Sequence, residues 1–397
     1  MTHTTSPSTP ATNDTATIYA AIELSSKSWL LAIQAPDRNK VSRHEVPAGD
    51  SAKLIAHLEQ ARSRVQEQTD APVAVITCYE AGRDGYWVHR VLQDNEIDNQ
   101  VVDPASLLTD QKKKSKKTDR IDVHKILRAL KLWHEGDSEA CRMVHVPTPD
   151  QEDARRPVRE AQRMKKEQTG HLNRINGLTA QHGIWHFKPL RRDWWDQLEQ
   201  LQTADGRALP PQIKAEIARE CERLHYLRDQ LRQLAREDRA RRREARRSAE
   251  GKQSEEKTAL EERAELIAHF QTLRGVGEVG ASVLAGEVFF RDFDNRQELA
   301  GYVGLTPQPN SSGPRETDQG LDKAGNALAR WAMIELAWGW LYYQPDSALS
   351  RWFHARVGNA RGRLRRIKLV AMARKLLIAL WRYATQGVVP EGAVTTA

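Results

Sequence analysis

The chain has 397 residues, enough for about two to three domains rather than a single core. Its 61 Lys and Arg against 53 Asp and Glu leave a net charge of +8 and a pI near 9.3, a balance that favours a polyanionic partner such as nucleic acid. Cys78, Cys141 and Cys221 stand far apart and never as C-x-x-C, which argues against a disulfide framework and a thiolate zinc site and points to a reducing, cytoplasmic setting.

Residues 1–17, rich in Thr, Ser and Pro without an apolar stretch, read as a disordered tail rather than a secretory signal. The texture then changes to β-rich runs at residues 18–24, 29–33 and 41–46, most simply three hairpin-linked antiparallel strands. Leu54, Ile55, Leu58 and Val65 follow at helical spacing. A nearly continuous apolar run over residues 73–78 then suits a strand covered on both faces, in the centre of a sheet. Gly82 and Gly85 break the chain before a helix bearing Trp87, Val88, Val91 and Leu92, and residues 100–102 supply another strand, closed by Asp103 and Pro104. The order βββαβαβ, then helix, over residues 18–150 is that of an RNase H-like fold.

Over residues 151–262 the strands vanish and charge dominates. Ile213, Ile217, Leu224, Leu227, Leu231 and Leu234 repeat as the a/d seam of a coiled coil, with Glu220 in the one missing core position and another protomer as a possible partner. A third, mostly helical unit over residues 263–397 opens on Leu273-Arg-Gly-Val-Gly-Glu-Val-Gly. Gly-x-Gly between helices suits a helix-hairpin-helix turn whose amides approach a phosphate, or simply a turn whose glycines take positive φ. In the distal helix, residues 361–382, Leu364, Ile367, Val370, Ala371 and Leu377 form one face, and Arg363, Arg365, Arg366, Lys368, Arg374 and Lys375 fill much of the rest. No apolar run approaches the roughly 18 residues that cross a bilayer, so no membrane partner is expected. The expected fold class is α/β plus α: an RNase H-like (RuvC-like) domain, a coiled-coil helical region and a helical C-terminal domain.

Four carboxylates fall where such a sheet brings acids together. Glu23 ends the first strand, Glu80 lies just beyond the central one, and Asp119 and Asp122, three residues apart, share one face of the final helix. Clustered carboxylates hold one or two Mg²⁺ (or Mn²⁺) ions, which phosphodiester chemistry uses to stabilise the attacking and leaving oxygens. Singly, each acid is an ordinary helix cap or surface group. Lys112, Lys113, Lys114, Lys116, Lys117 and Arg120 crowd the same stretch and would place phosphate-binding cations beside the acids.

The motifs Ala-Ile-Glu-Leu-Ser-Ser-Lys, Tyr-Glu-Ala-Gly-Arg-Asp-Gly-Tyr, Val-Val-Asp-Pro and Lys-Lys-Thr-Asp-Arg-Ile-Asp occupy the N-terminal half. Leu-Arg-Gly-Val-Gly-Glu-Val-Gly-Ala, Leu-Ala-Gly-Tyr-Val-Gly-Leu-Thr-Pro, Asn310-Ser-Ser-Gly and Asp-Lys-Ala-Gly-Asn follow in the C-terminal half. Together, over residues 18–390, they resemble insertion-sequence transposases with a RuvC-like DEDD domain and a serine-containing C-terminal domain. These form the bridge-RNA-guided group, insertion sequence family one hundred and ten. The resemblance implies that Glu23, Glu80, Asp119 and Asp122 bind the metal and that Ser312, next to Ser311, is the nucleophile that becomes linked to DNA. Glu23 stands where most members have Asp, and so reaches one methylene further. Donor and target DNA, a structured non-coding guide RNA and a homo-oligomer, dimer or tetramer, are implied as partners.

Without the resemblance, Ser-Ser-Gly after Pro-Gln-Pro reads as readily as a plain loop, and a serine needs activation to attack. Lys323 and Arg330 are close enough in sequence to offset transition-state charge. The expected function is therefore a recombinase that passes through a serine-phosphate intermediate. The competing readings are a RuvC-like endonuclease or resolvase in which water attacks, and a non-catalytic nucleic-acid-binding protein.

Overall fold

The computed structural model describes residues 15–36, 38–107, 119–137, 139–311, 316–321 and 325–396, without the side chains of 119–121, 307–311 and 316–321. The chain forms two compact units, Met1–Val146 and Pro147–Ala397.

The first unit contains β1 (Ala16–Glu23), β2 (Ser28–Gln34), β3 (Val41–Pro47), α1 (Ser51–Gln66), β4 (Val73–Glu80), α2 (Trp87–Asp94), β5 (Asp98–Val102) and α3 (Asp119–His134). The strands form one mixed sheet in the order β3-β2-β1-β4-β5, with β1 antiparallel to β2 and parallel to β4. β1, not β4, is therefore the middle strand, and β4 lies beside it in the interior. β1 also starts at Ala16, inside the stretch read as a tail, because Ala16 and Thr17 pair with Val73 and Ala74.

Alternation along the strands divides the core into two layers. Ile18, Ala20 and Ile22 pack with Leu31 under Leu54 and Leu58 of α1 and Val88 and Leu92 of α2. Ala21, Ala32, Ile76 and Cys78 pack against Val123, Ile126, Leu127 and Leu130 of α3. Both faces are covered, which is why β4 reads as an unbroken apolar run.

The second unit begins with α4 (Pro149–Ala154), α5 (Arg156–Ala180), α6 (Trp194–Gln200) and α7 (Pro211–Ala249). It continues through α8 (Ala259–Gln271), α9 (Glu278–Val283), a π-helical turn (Leu284–Val288) and α10 (Arg296–Val303). A hairpin of β6 (Pro307–Ser311) and β7 (Glu316–Leu321) precedes α11 (Ala327–Tyr343), α12 (Ala348–Val357) and α13 (Gly362–Gln386). Among the described residues no helix is long and apolar enough to cross a membrane.

The proximal half of the α7 seam is spent inside the chain. Ile217, Cys221 and Leu224 are fully buried against Ile175 of α5 and Leu198 of α6, whereas Leu227, Leu231 and Leu234 are only half-buried. Glu220 is not an open seam position. It accepts from His171 Nδ1 at 2.6 Å and from Arg174 Nη1 at 3.1 Å, both on α5, and from Arg223 Nη1 at 2.5 Å.

The buried face of α13 also differs from the sequence expectation. Leu369, Met372, Ala373, Leu376, Leu377 and Leu380 enter the core with Phe270, Met333 and Trp340, while Leu364 and Ile367 are exposed. Of the expected face, Leu377 is in the core and Val370 packs against it, whereas Leu364, Ile367 and Ala371 are exposed.

The glycines after α8 act through packing. Gly275 has φ +92°, and a Cβ there would lie 2.9 Å from the Tyr343 Cβ; at Gly280 one would lie 2.6 Å from Leu336 Cδ2. The turn is shaped by its approach to α11, which favours the plainer of the two sequence readings.

Candidate active site

Glu23 and Glu80 are the last residues of two adjacent parallel strands. The register pairs Ile22 with Tyr79, so the next residue on each strand is an acid and the two stand side by side at the sheet edge. Strand alternation puts Glu23 in phase with Tyr19 and Ala21, and Glu80 with Ile76 and Cys78, all on the α3 side.

α3 runs back along the sheet against β1 and β4. Near its C-terminal end, His134 Nδ1 lies 2.9 Å from Tyr19 Oη, and in its middle the Ile126 carbonyl accepts from Cys78 Sγ at 3.9 Å. Asp122, four residues before Ile126, is about 6 Å further along the helix axis. Glu80, two residues beyond Cys78, is about 6.6 Å further along the strand. The first turn of α3 therefore arrives at the level of the two strand-end glutamates. Asp122 is partly buried, with Lys125 Nζ at 3.7 Å from its Oδ1. Asp119 occupies the first residue of the same helix, and its side chain lies outside the described ones.

An all-carboxylate donor set suits a hard cation such as Mg²⁺ or Mn²⁺. Among the described residues, no three His, Cys, Asp or Glu side chains gather closely enough to hold an ion. Glu23, Glu80 and Asp122 thus share a level and a sheet face without forming a closed ligand set. The cysteines do not compete for this chemistry: burial pushes the Cys78 thiol well up, Cys141 to about 11 and Cys221 to about 12.

Ser312 lies outside the described residues, as do Lys323, Lys112, Lys113, Lys114, Lys116 and Lys117; of Arg120 only the backbone, in α3, is described. The strands on either side of Ser312 are described. β6 and β7 pair antiparallel, with Ser311 opposite Glu316.

Sequence reasoning missed the clamp at the foot of this hairpin. Gly325 has φ +88°, and a Cβ there would come within 2.7 Å of the Tyr302 carbonyl oxygen at the end of α10. The next residue, Asn326, donates its backbone N–H to that oxygen at 2.8 Å and caps α11 by accepting from Leu328 and Ala329 N–H. Its Nδ2 donates to Glu287 Oε2 at 2.9 Å. Glu287 is 1% exposed, on the π-helical turn, and also accepts two hydrogen bonds from Arg159 of α5 at 2.6 and 2.9 Å. The Gly-Asn pair of Asp-Lys-Ala-Gly-Asn thereby fixes where the hairpin leaves the helical core. Its signal in the sequence was a glycine directly before an N-cap asparagine.

Of the C-terminal basic candidates, Arg363, Arg365 and Arg366 are exposed on the first turns of α13, and the Arg365 guanidinium stacks 5.1 Å above the Trp338 ring. Arg330 lies in the first turn of α11, close to the hairpin in sequence.

Comparison with known proteins bears on the same regions. The model of a family described as transposase IS116/IS110/IS902 matches residues 267–351, the stretch from α8 through the hairpin to α12. A Sinorhizobium fredii protein named transposase y4rJ is 42% identical over 383 residues, covering 96% of this chain and 95% of its own. The transposase for insertion sequence element IS1111A of Coxiella burnetii is 26% identical over 317 residues, 79% of this chain and 78% of its own.

Proposed function

The chain belongs to the IS116/IS110/IS902 transposase family, and from that premise we propose that it is a DNA recombinase whose acids at the sheet edge and whose Ser312 together break and rejoin phosphodiester bonds. The observation that carries this reading is the pairing of Glu23 and Glu80 at the ends of neighbouring parallel strands, under the helix that bears Asp119 and Asp122. The sheet order β3-β2-β1-β4-β5 supports an RNase H-like (RuvC-like) domain around them.

Bound Mg²⁺ or Mn²⁺ would supply charge neutralisation at the phosphate and polarise its oxygens. Glu23, Glu80, Asp119 and Asp122 are the residues that would hold such an ion beside the reacting phosphate. Ser312 Oγ attacks phosphorus, losing its proton; the Oγ–P bond forms, the bond from phosphorus to one deoxyribose oxygen breaks, and that oxygen leaves as a hydroxyl. Attack by a second deoxyribose hydroxyl reverses the sequence and frees Ser312, so the phosphodiester energy is conserved. Lys323 and Arg330 offset charge in the transition state.

Donor and target DNA are the substrates, and a structured non-coding guide RNA selects them, held by Lys112, Lys113, Lys114, Lys116, Lys117 and Arg120 and by Arg363, Arg365 and Arg366. Association into a homo-oligomer runs through the half-buried distal seam of α7. The test is cleavage of a paired DNA target with and without RNA from the element's flank. Replacing Asp122 or Glu80 with Ala is expected to abolish cleavage and leave nucleic-acid affinity within about twofold. Full cleavage in both variants contradicts the acid assignment, and cleavage that needs no RNA contradicts the guide.

A further inference from the structure

A cavity of about 70 Å³ lies in the second unit, between α4, α8 and the π-helical turn, lined by Arg155, Arg263, Ala259, Gly286 and Phe290 among others. It is several times the roughly 10–15 Å³ that one water needs, so it accommodates a group of several atoms. Arg263 is 5% exposed, and its Nε, Nη1 and Nη2 find no hydrogen-bond acceptor among the described residues. Its nearest acid, Asp238, approaches Nη1 only to 3.6 Å, too far for a hydrogen bond, and already accepts from Arg242 Nε at 2.9 Å. Arg242 in turn shares Glu278 with Arg239. Three guanidinium groups, those of Arg239, Arg242 and Arg263, thus divide two carboxylates.

A second cation lines the same cavity: Arg155 is 5% exposed, with its guanidinium 4.6 Å above the Phe290 ring. Both arginines lie against the π-helical turn: a Cβ at Gly286 would be in ordinary contact with Arg155 Cγ and Arg263 Nε, each at 3.5 Å. The planar fork of a guanidinium matches the paired oxygens of a phosphate. Among the described residues the acid on the wall is Glu262, whose carboxyl partial burial holds above its ordinary pKa, and it faces two guanidinium groups.

We propose that this cavity is an oxyanion site of the phosphate class, with Arg263 as its principal ligand and Arg155 as its second cation. It belongs to the second unit, whereas the sheet-edge acids belong to the first, and it does not depend on their role. The bound group is either free phosphate or a phosphate of a nucleic-acid strand.

The experiment uses the full chain, followed by thermal unfolding in inorganic phosphate and in chloride at equal ionic strength. Phosphate is expected to raise Tm progressively and saturably, and R263Q to lose that dependence. A259L, which fills the wall from a part-exposed position and keeps Arg263, is expected to lose most of it and covers the case of R263Q failing to fold. If the natural group belongs to a nucleic acid, inorganic phosphate at constant ionic strength competes with a short oligonucleotide, and R263Q weakens that binding about tenfold. If it is free phosphate, oligonucleotide binding is unchanged while the Tm effect persists. Equal Tm in phosphate and chloride overturns the site, as does a full phosphate effect retained in both R263Q and A259L.

Discussion

Glu220 shows how a single buried carboxylate acquires its meaning from residues far away in sequence. On α7 alone it is a polar interruption of an apolar seam. In the folded unit burial pushes its pKa up, but hydrogen bonds from His171 and Arg174 outweigh that and hold the carboxyl below its ordinary value. A depressed folded-state pKa contributes stability that is present above the unfolded value of about 4.3 and is lost as pH falls through the folded one. Glu220→Gln is expected to cost about 1–3 kcal/mol at pH 7, and its deficit against wild type should shrink as pH drops below about 4.5. Urea unfolding across that range checks this; a deficit independent of pH would mean that the carboxylate charge contributes nothing. The partners sit 46 and 49 residues upstream, and no local pattern in the sequence pairs them. Glu23 and Glu80 were legible for the opposite reason: each ends a strand, and strand alternation fixes its side. At Gly325, Ala would be forced into left-handed backbone at a cost of roughly 1–2 kcal/mol before counting its clash with the Tyr302 carbonyl. Gly325→Ala should therefore lower Tm clearly, and wild-type stability there would remove the clamp at the hairpin foot.

At the scale of elements, short strands and their succession along the chain are readable because alternation and turn residues act within a few positions, whereas the central place of β1 in the sheet depends on pairing between distant segments. Helix faces were harder. α7 carries one continuous apolar seam, yet only its first half meets α5 and α6, so equal-looking leucines have unequal costs. Leu224→Ala, in the buried half, should destabilise by about 2–5 kcal/mol, and Leu231→Ala, in the half-buried one, by less than about 1.5 kcal/mol, as read from urea midpoints. Equal losses would place both halves in the same core. If the distal half joins protomers, Leu231→Asp with Leu234→Asp should lower the mass in light scattering while the chain stays folded. Unaltered mass would assign those leucines to packing within one chain. On α13 the expected face holds at Val370 and Leu377 and fails at Leu364, Ile367 and Ala371, because the core strip from Leu369 to Leu380 is set by where Trp340 and Met333 of α11 lie. That is a tertiary fact.

Across the whole molecule, a net charge of +8 would act on a polyanion through particular exposed groups, and the salt dependence of binding is its readout. Each phosphate neutralised on single-stranded RNA contributes about 0.7 to the slope of log affinity against log salt. Replacing Arg363, Arg365 and Arg366 together with Gln should lower that slope by about 2 in fluorescence anisotropy with RNA from the element's flank. An unchanged slope would mean that the start of α13 meets no phosphate. The central claim is the joint action of the sheet-edge acids and Ser312, and it is tested most directly by trapping the protein on a suicide DNA substrate with RNA and Mg²⁺ and mapping the attachment by mass spectrometry. The wild type should carry DNA on Ser312, and both Ser312→Ala and Asp122→Ala should carry none. Cleavage that persists in Ser312→Ala without an adduct, or an adduct on Ser311, would contradict it.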